Sequence, residues 1–265
     1  MYSSKNKNNL NQNHIVIFGG SSPIGVNLIE DALEKNYIVS LVGRSKVKIK
    51  SKNFFFIKVD LSKKDLNFKK IFKDLNRKPI THMVFLQRSR NKKKTFENEI
   101  NVSVRPVVNM INEFYKSNSK NKIKKSILLI SSPVVGRSAM EQDLNYHLAK
   151  ALIDQLVKYF SIHLGKINCN INALSPDLIL KERAKNFYRK NKKLTKLLSN
   201  VTPMGRMATT SEISKIILNL IDSNMHYFNG EIFNLDGGIQ SHNHISLAKL
   251  IGNNFISSKL KNFNF

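Results

Sequence analysis

A single cysteine, Cys169, stands in a chain of 265 residues. That excludes an internal disulfide, a cysteine-based structural zinc site and a CxxC redox pair, and it suits a reducing, cytoplasmic setting. No stretch approaches the roughly 18 consecutive apolar residues of a membrane span, and the polar start MYSSKNKNNLNQN lacks the apolar core of a signal peptide. Acidic residues are also few, 18 Asp and Glu against 44 Lys and Arg, for a formal charge of +26. Such an excess ordinarily raises nucleic acid or an anionic membrane as a partner. Arginine, the side chain suited to bidentate phosphate and base contacts, makes up only 9 of the 44. The remaining 35 are lysine, and together with 33 asparagines they form the bias of an AT-rich coding sequence. Neither nucleic acid nor membrane is therefore the expected partner.

Hydrophobic residues at 41% and charged residues at 23% are an ordinary globular balance, and the length suffices for a substantial core. Short apolar runs at 14–18, 37–42, 54–59, 83–86, 126–130, 168–174 and 231–235 are β-branched or aromatic and mostly lack a period of two, as strands buried on both faces do. Segments of helical period lie between them, among them 25–35, 100–116, 145–164 and 211–222. This alternation predicts an α/β fold, one doubly wound, Rossmann-type parallel sheet of about seven strands with helices on both faces. The expected organisation is a loose tail over 1–13, one domain over 14–240 and a C-terminal extension over 241–265. Two lysine-rich stretches read as irregular insertions, 88–96 and 181–202, the latter as a substrate lid.

The first run leads into Gly19-Gly20-Ser21-Ser22-Pro23-Ile24-Gly25 and then an amphipathic segment. Glycines at a strand-to-helix turn let the backbone approach a pyrophosphate, and the helix N-terminus offers it free N–H groups and partial positive charge. Further on, Tyr146 and Lys150 are four apart on a helical segment, so both side chains share one face. Spacing alone is weak evidence, since Tyr188 and Lys192 repeat it. Order separates the pairs: Tyr146 follows a strand ending in Ser131-Ser132-Pro133, whereas Tyr188 sits in a polar insertion.

These motifs resemble the short-chain dehydrogenase/reductase (SDR) family. Its phosphate loop, Thr-Gly-x-x-x-Gly-x-Gly, falls on Phe18, Gly19, Pro23 and Gly25, of which the two glycines match. Its Tyr-x-x-x-Lys falls on Tyr146 and Lys150, with Ser132 upstream. Glu99-Ile100-Asn101-Val102 resembles the helix carrying the family asparagine, and Asn172 to Asp177 the Asn-Ala-x-x-Pro-Gly segment. Thr202 to Arg206, Asn229 to Glu231 and Asp236 to Gly238 resemble the end of acyl-carrier-protein ketoreductases. The likeness covers about residues 14–240.

The resemblance implies an NADP-dependent oxidoreductase reducing a carbonyl by hydride transfer. Tyr146 would protonate the forming alkoxide, Ser132 polarise the carbonyl, and Lys150 hold the nicotinamide ribose and favour the phenolate. Asn101 would hold a water joining Lys150 to solvent. Gly19, Ser21, Ser22, Ile24, Gly25, Arg44, Ser45, Asp60, Leu61, Pro176 and Ile179 are the implied cofactor contacts. An acid after the second strand would bond the ribose hydroxyls of NAD, and here Arg44-Ser45 favours the extra phosphate of NADP. Asp60 could contact adenine or cap the following helix. No metal is expected. The family's Asn-Asn-Ala-Gly is replaced by Leu86-Gln87-Arg88-Ser89, so Arg88 either turns outward or enters the site, and Asp177 and Lys181 are further departures.

The expected substrate is a 3-oxoacyl thioester on acyl carrier protein or coenzyme A, with a sugar or nucleotide-sugar in a surface-glycan pathway as the alternative. A non-catalytic nucleotide- or nucleic-acid-binding relative is the reading from another class. Family members assemble as homodimers or homotetramers. The stretch 181–196 carries eight basic residues and one acid, and 88–94 adds five cations. Both should emerge at the carboxyl edge of the sheet, where they would attract an anionic or carrier-linked substrate.

Overall fold

The computed structural model describes residues 12–90, 95–118, 123–222 and 225–252. Seven strands form one parallel sheet: β1 (His14–Phe18), β2 (Ile38–Gly43), β3 (Phe54–Lys58), β4 (His82–Phe85), β5 (Lys125–Ile130), β6 (Cys169–Pro176) and, last in the chain, β9 (Ile232–Leu235). Their order is β3-β2-β1-β4-β5-β6-β9, with the reversal between β1 and β4. The fold is the expected doubly wound one. A separate parallel pair, β7 (Ile179–Leu180) and β8 (Ala208–Thr209), was not anticipated; two residues each are too short to show a period.

Alternation along β1 sends side chains to two cores. Val16 and Phe18 join Met83, Phe85, Ile127 and Leu129 beneath the helices α2 (Phe68–Leu75), α4 (Arg105–Asn118) and α5 (Leu144–Gly165). Ile15 and Ile17 join Val39, Leu41, Val84 and Leu128 on the opposite face, under α1 (Pro23–Glu34) and α8 (Thr210–Asp222). Each such side chain is fully enclosed, a burial that contributes about 1.5–3 kcal/mol. Phe18 and Phe85 stack with centroids 4.5 Å apart at the end of the first and fourth strands, beside the phosphate loop.

Asparagine abundance has a local use. Asn36 and Asn168 adopt φ of 60° and 57° at the turns leaving α1 and α5, a left-handed conformation asparagine tolerates better than most residues. At the end of the sheet opposite the phosphate loop, the buried His82 ring lies 6.0 Å from that of Tyr37, and neither ring nitrogen has a hydrogen-bond partner. Burial drives its pKa down to about 4.

The stretch 181–202 is not irregular. It forms α6 (Glu182–Lys190) and α7 (Lys192–Val201), because Leu194, Leu197, Leu198 and Val201 recur at helical spacing and outweigh the surrounding lysines. In the other stretch, 91–94 lie outside the described residues, and α3 (Phe96–Glu99) starts at a Thr95 cap. The tail 1–11 and the chain after 252 are likewise outside them, while α9 (His244–Gly252) begins the extension. Among the described residues no helix is long and apolar enough to cross a membrane, and no cluster of His, Cys, Asp and Glu could hold a metal ion.

Candidate active site

The phosphate loop is built by close approach. Gly19 has φ of +74°, and a Cβ there would fall 2.6–2.7 Å from the Gln87 backbone; one at Gly25 would lie 2.4 Å from Gly20 Cα and O. Ser22 caps α1, its hydroxyl accepting from the Gly25 N–H at 3.2 Å. Pro23 occupies the first helical position, where an N–H would have no intrahelical partner in any case, so its presence costs the helix nothing. Gln87 packs against Gly19, and among the described residues the buried Gln87 Oε1 and Ser89 Oγ have no hydrogen-bond partner. Buried polar atoms of that kind, next to a glycine turn at a helix N-terminus, fit a dinucleotide whose phosphates and ribose need bonds.

Arg44 and Ser45 are exposed just after β2. Arg44 lines an open groove of about 590 Å³ with Asp60, Lys63, Asn67, Lys70 and Ile71. Asp60 does not cap α2, whose cap is Asn67. Its Oδ1 instead accepts from Ser62 N–H and Oγ–H at 3.1 and 2.7 Å, and the Ser62 bond, helped by Arg44 and Lys63, holds the carboxyl below its usual range against partial burial. Leu61 is buried beside it.

Helix α5 carries Tyr146 and Lys150. Asp143 caps it by accepting from Tyr146 N–H at 3.2 Å, which fixes Tyr146 in the first turn. His147 Nδ1 bonds the Asp143 carbonyl at 2.9 Å and its Nε2 accepts from Ala139 N–H at 3.1 Å, pinning the preceding loop to the helix. Lys150, one turn on, is buried and donates to the Ile130 carbonyl at 2.6 Å. Its Nζ lies 5.7 Å from the Tyr146 ring centre. Burial brings its pKa down to about 8, and the Arg88 charge adds to the shift while Glu99 and Asp154 oppose it. Ser132 follows two residues after Ile130 and is half-buried. Asn101 is buried in a π-helical turn (Ile100–Val104) that interrupts the helix between α3 and α4, and this turn packs on α5. A π turn frees backbone groups from the regular ladder and is common at functional sites.

Arg88 is exposed and lies over Tyr146. Its guanidinium carbon lies 4.5 Å from the Tyr146 ring centre, and its Nη2 donates to Gln142 Oε1 at 3.0 Å. Pro176 ends β6, Ile179 begins β7, and Asp177 between them is half-buried, its carboxyl raised chiefly by burial and also by Asp236. Lys181 precedes α6 at its cap position. Tyr188 belongs to a different place, a groove of about 500 Å³ between α6 and α7 with Lys192 and Lys196, and its carbonyl accepts from Thr195. The sequence offered no sign of the Asp143 and His147 anchors, which depend on where the loop folds back.

A glycine cradle at the reversal of a parallel sheet, in a chain that also sets a tyrosine and a buried lysine one helical turn apart, is the arrangement of a nucleotide-binding α/β protein. The chain belongs to the short-chain dehydrogenase/reductase family: the family described as enoyl-(acyl carrier protein) reductase matches residues 82–240. It is 29% identical over 148 residues to the 3-oxoacyl-[acyl-carrier-protein] reductase FabG of Buchnera aphidicola, covering 56% of this chain and 58% of the relative. It is 31% identical over 114 residues to a tropinone reductase homolog of Arabidopsis thaliana, 43% of either chain. The chain thus spans about half the length of the curated relatives it matches. Among solved structures it resembles a short-chain dehydrogenase family protein of Francisella tularensis (TM-score 0.74, 19% identity, 88% of this chain and all of the other). It also resembles ElxO with NADP bound (0.75, 20%, 88% and 100%) and a short-chain dehydrogenase of Leptospira borgpetersenii with bound NAD+ (0.72, 20%, 87% and 93%). These likenesses establish the fold.

Proposed function

We propose that this protein is an NADP-dependent carbonyl reductase acting on a 3-oxoacyl thioester. The observation that carries the reading is the Tyr146–Lys150 pair, fixed by the Asp143 cap and the Ile130 carbonyl. When bound, a nicotinamide cofactor supplies the hydride. The Tyr146 hydroxyl gives its proton to the carbonyl oxygen as the alkoxide forms, which suits reduction of C=O. Ser132 donates to the same oxygen, and Lys150 offers the positive charge that stabilises the phenolate left behind. Asn101, in the π turn that follows Glu99, holds the water that returns a proton to this pair. Gly19, Ser21, Ser22, Ile24 and Gly25 carry the phosphates, with Leu61, Pro176 and Ile179 along the remainder of the cofactor.

Arg44, exposed and with no acid in its place, supports NADP over NAD. The FabG-type relatives support the thioester. The cations Lys185, Arg189, Lys192 and Lys196, which line the α6–α7 groove, suit an anionic or carrier-linked substrate. Helix α5 also exposes Leu144, Leu148, Leu152, Tyr159 and Ile162 on one face, which supports a homodimer or homotetramer. Sedimentation showing a monomer, unchanged by Leu148→Glu, would contradict that assembly. The activity is tested by NADPH consumption with acetoacetyl-coenzyme A: the wild type turns over, and Tyr146→Phe abolishes it.

A further inference from the structure

We propose that Arg88 binds a substrate carboxylate beside the reacting carbonyl, giving this site a second activity, the reduction of free 3-oxo acids. The inference rests on the reading of Tyr146 and Lys150 as the proton-handling pair. Arg88 follows β4 by three residues, at the carboxyl edge of the sheet, and its guanidinium covers the Tyr146 ring at 4.5 Å. Stacking on an aromatic face orients a planar cation without consuming its donors. Among the described residues the guanidinium donates through Nη2 alone, to Gln142 Oε1. Gln142 adjoins Asp143, the cap of α5, in the loop that His147 pins through Ala139. The guanidinium is thus held from two sides by groups fixed to α5.

Among the described residues no carboxylate pairs with Arg88, although Arg206, Arg77 and several lysines find acids. The nearby acids Glu99 and Asp154 act on Lys150. An exposed fork that no carboxylate pairs among the described residues, beside the buried Lys150 ammonium, is a site for a carboxylate, whose two oxygens it matches. In a 3-oxo acid the carboxylate lies one methylene from the carbonyl, so Arg88 can hold one end while the other faces the Tyr146 hydroxyl at the rim of the same ring. In the step, a C–H bond forms at the carbonyl carbon with hydride from the reduced nicotinamide, which is oxidised. The Tyr146 proton passes to oxygen, and the carboxylate is unchanged.

The test compares acetoacetate with the neutral 2,4-pentanedione in the full chain, using Arg88→Ala and Arg88→Lys, together with calorimetric titration of malonate into cofactor-free protein. The expected result is turnover of acetoacetate, with Arg88→Ala losing about ten- to a hundredfold in kcat/KM, mostly through KM. The loss on the diketone is several-fold smaller, malonate binding disappears, and Arg88→Lys falls between. Equal losses on both substrates, unaltered malonate binding in Arg88→Ala, or a tenfold change in NADPH affinity would overturn the proposal. Persistence of diketone turnover in Tyr146→Phe would instead sink the underlying reading of the site.

Discussion

The Lys150 ammonium donates to the Ile130 carbonyl at 2.6 Å, tying the second turn of α5 to the carboxyl end of β5. This bond places a cation where burial opposes it. With its pKa lowered from 10.5 to about 8, the group costs stability at neutral pH, and the cost disappears as pH rises from 8 through 10.5. The full shift corresponds to about 3 kcal/mol, offset in part by the bond itself. Lys150→Met is therefore expected to abolish turnover and yet raise Tm at pH 7, with the gain shrinking above pH 8 and gone above about pH 10.5. A scanning calorimetry series across pH checks it, and a lower Tm for the variant at neutral pH is the contrary outcome.

His82 predicts the acid limb of stability. Its folded pKa of about 4 lies below the unfolded value of 6.5, so the stabilisation is complete above pH 6.5 and is lost as pH falls toward 4, by about 3 kcal/mol. His82→Phe removes both the unsatisfied nitrogens and the titration. Urea unfolding should show a variant at least as stable at pH 7 and less sensitive than the wild type between pH 6.5 and 5, with His14 and His226, whose pKa values burial also lowers, keeping part of the acid limb. An unchanged acid limb would mean another group is responsible.

The fold was largely legible, and for a physical reason. A parallel strand is buried on both faces, so runs such as 14–18 stand out as continuous apolar segments whose ends the structure reproduces. The same is true of the loop–helix junction at Gly19 and Gly25, since only glycine permits contacts of that kind. Helix α2 and the pair α6–α7 were less visible, because lysines crowd their exposed faces and mask the spacing of Phe68, Phe72 and Leu75 or of Leu194 to Val201. In the candidate site, the placement of Tyr146 and Lys150 one turn apart on α5 could be read from their spacing. That Arg88 lies over Tyr146 could not, since it depends on where Gln142 sits, 54 residues along the chain.

Gly25→Ala probes the cradle. Its Cβ would lie 2.4 Å from backbone atoms of Gly20, which cannot rotate away. A loss of about 1–3 kcal/mol in stability is expected, with NADPH affinity reduced at least about tenfold because the turn must open. Titration of NADPH fluorescence against the two proteins measures it, and equal affinities would show that the turn tolerates the methyl group.

Arg44→Ser tests the cofactor preference. Loss of one charge-assisted bond to a phosphate should raise KM for NADPH by about ten- to a hundredfold and leave that for NADH nearly unchanged. A parallel rise for both would remove Arg44 from the phosphate.

The most direct measurement is loss of NADPH absorbance with acetoacetyl-coenzyme A by the wild type and Tyr146→Phe, with folding verified by circular dichroism. Turnover by the wild type and a drop of about a hundredfold or more in the folded variant is the predicted result. Equal rates for the two proteins, or no reduction of the thioester by the wild type, would contradict it.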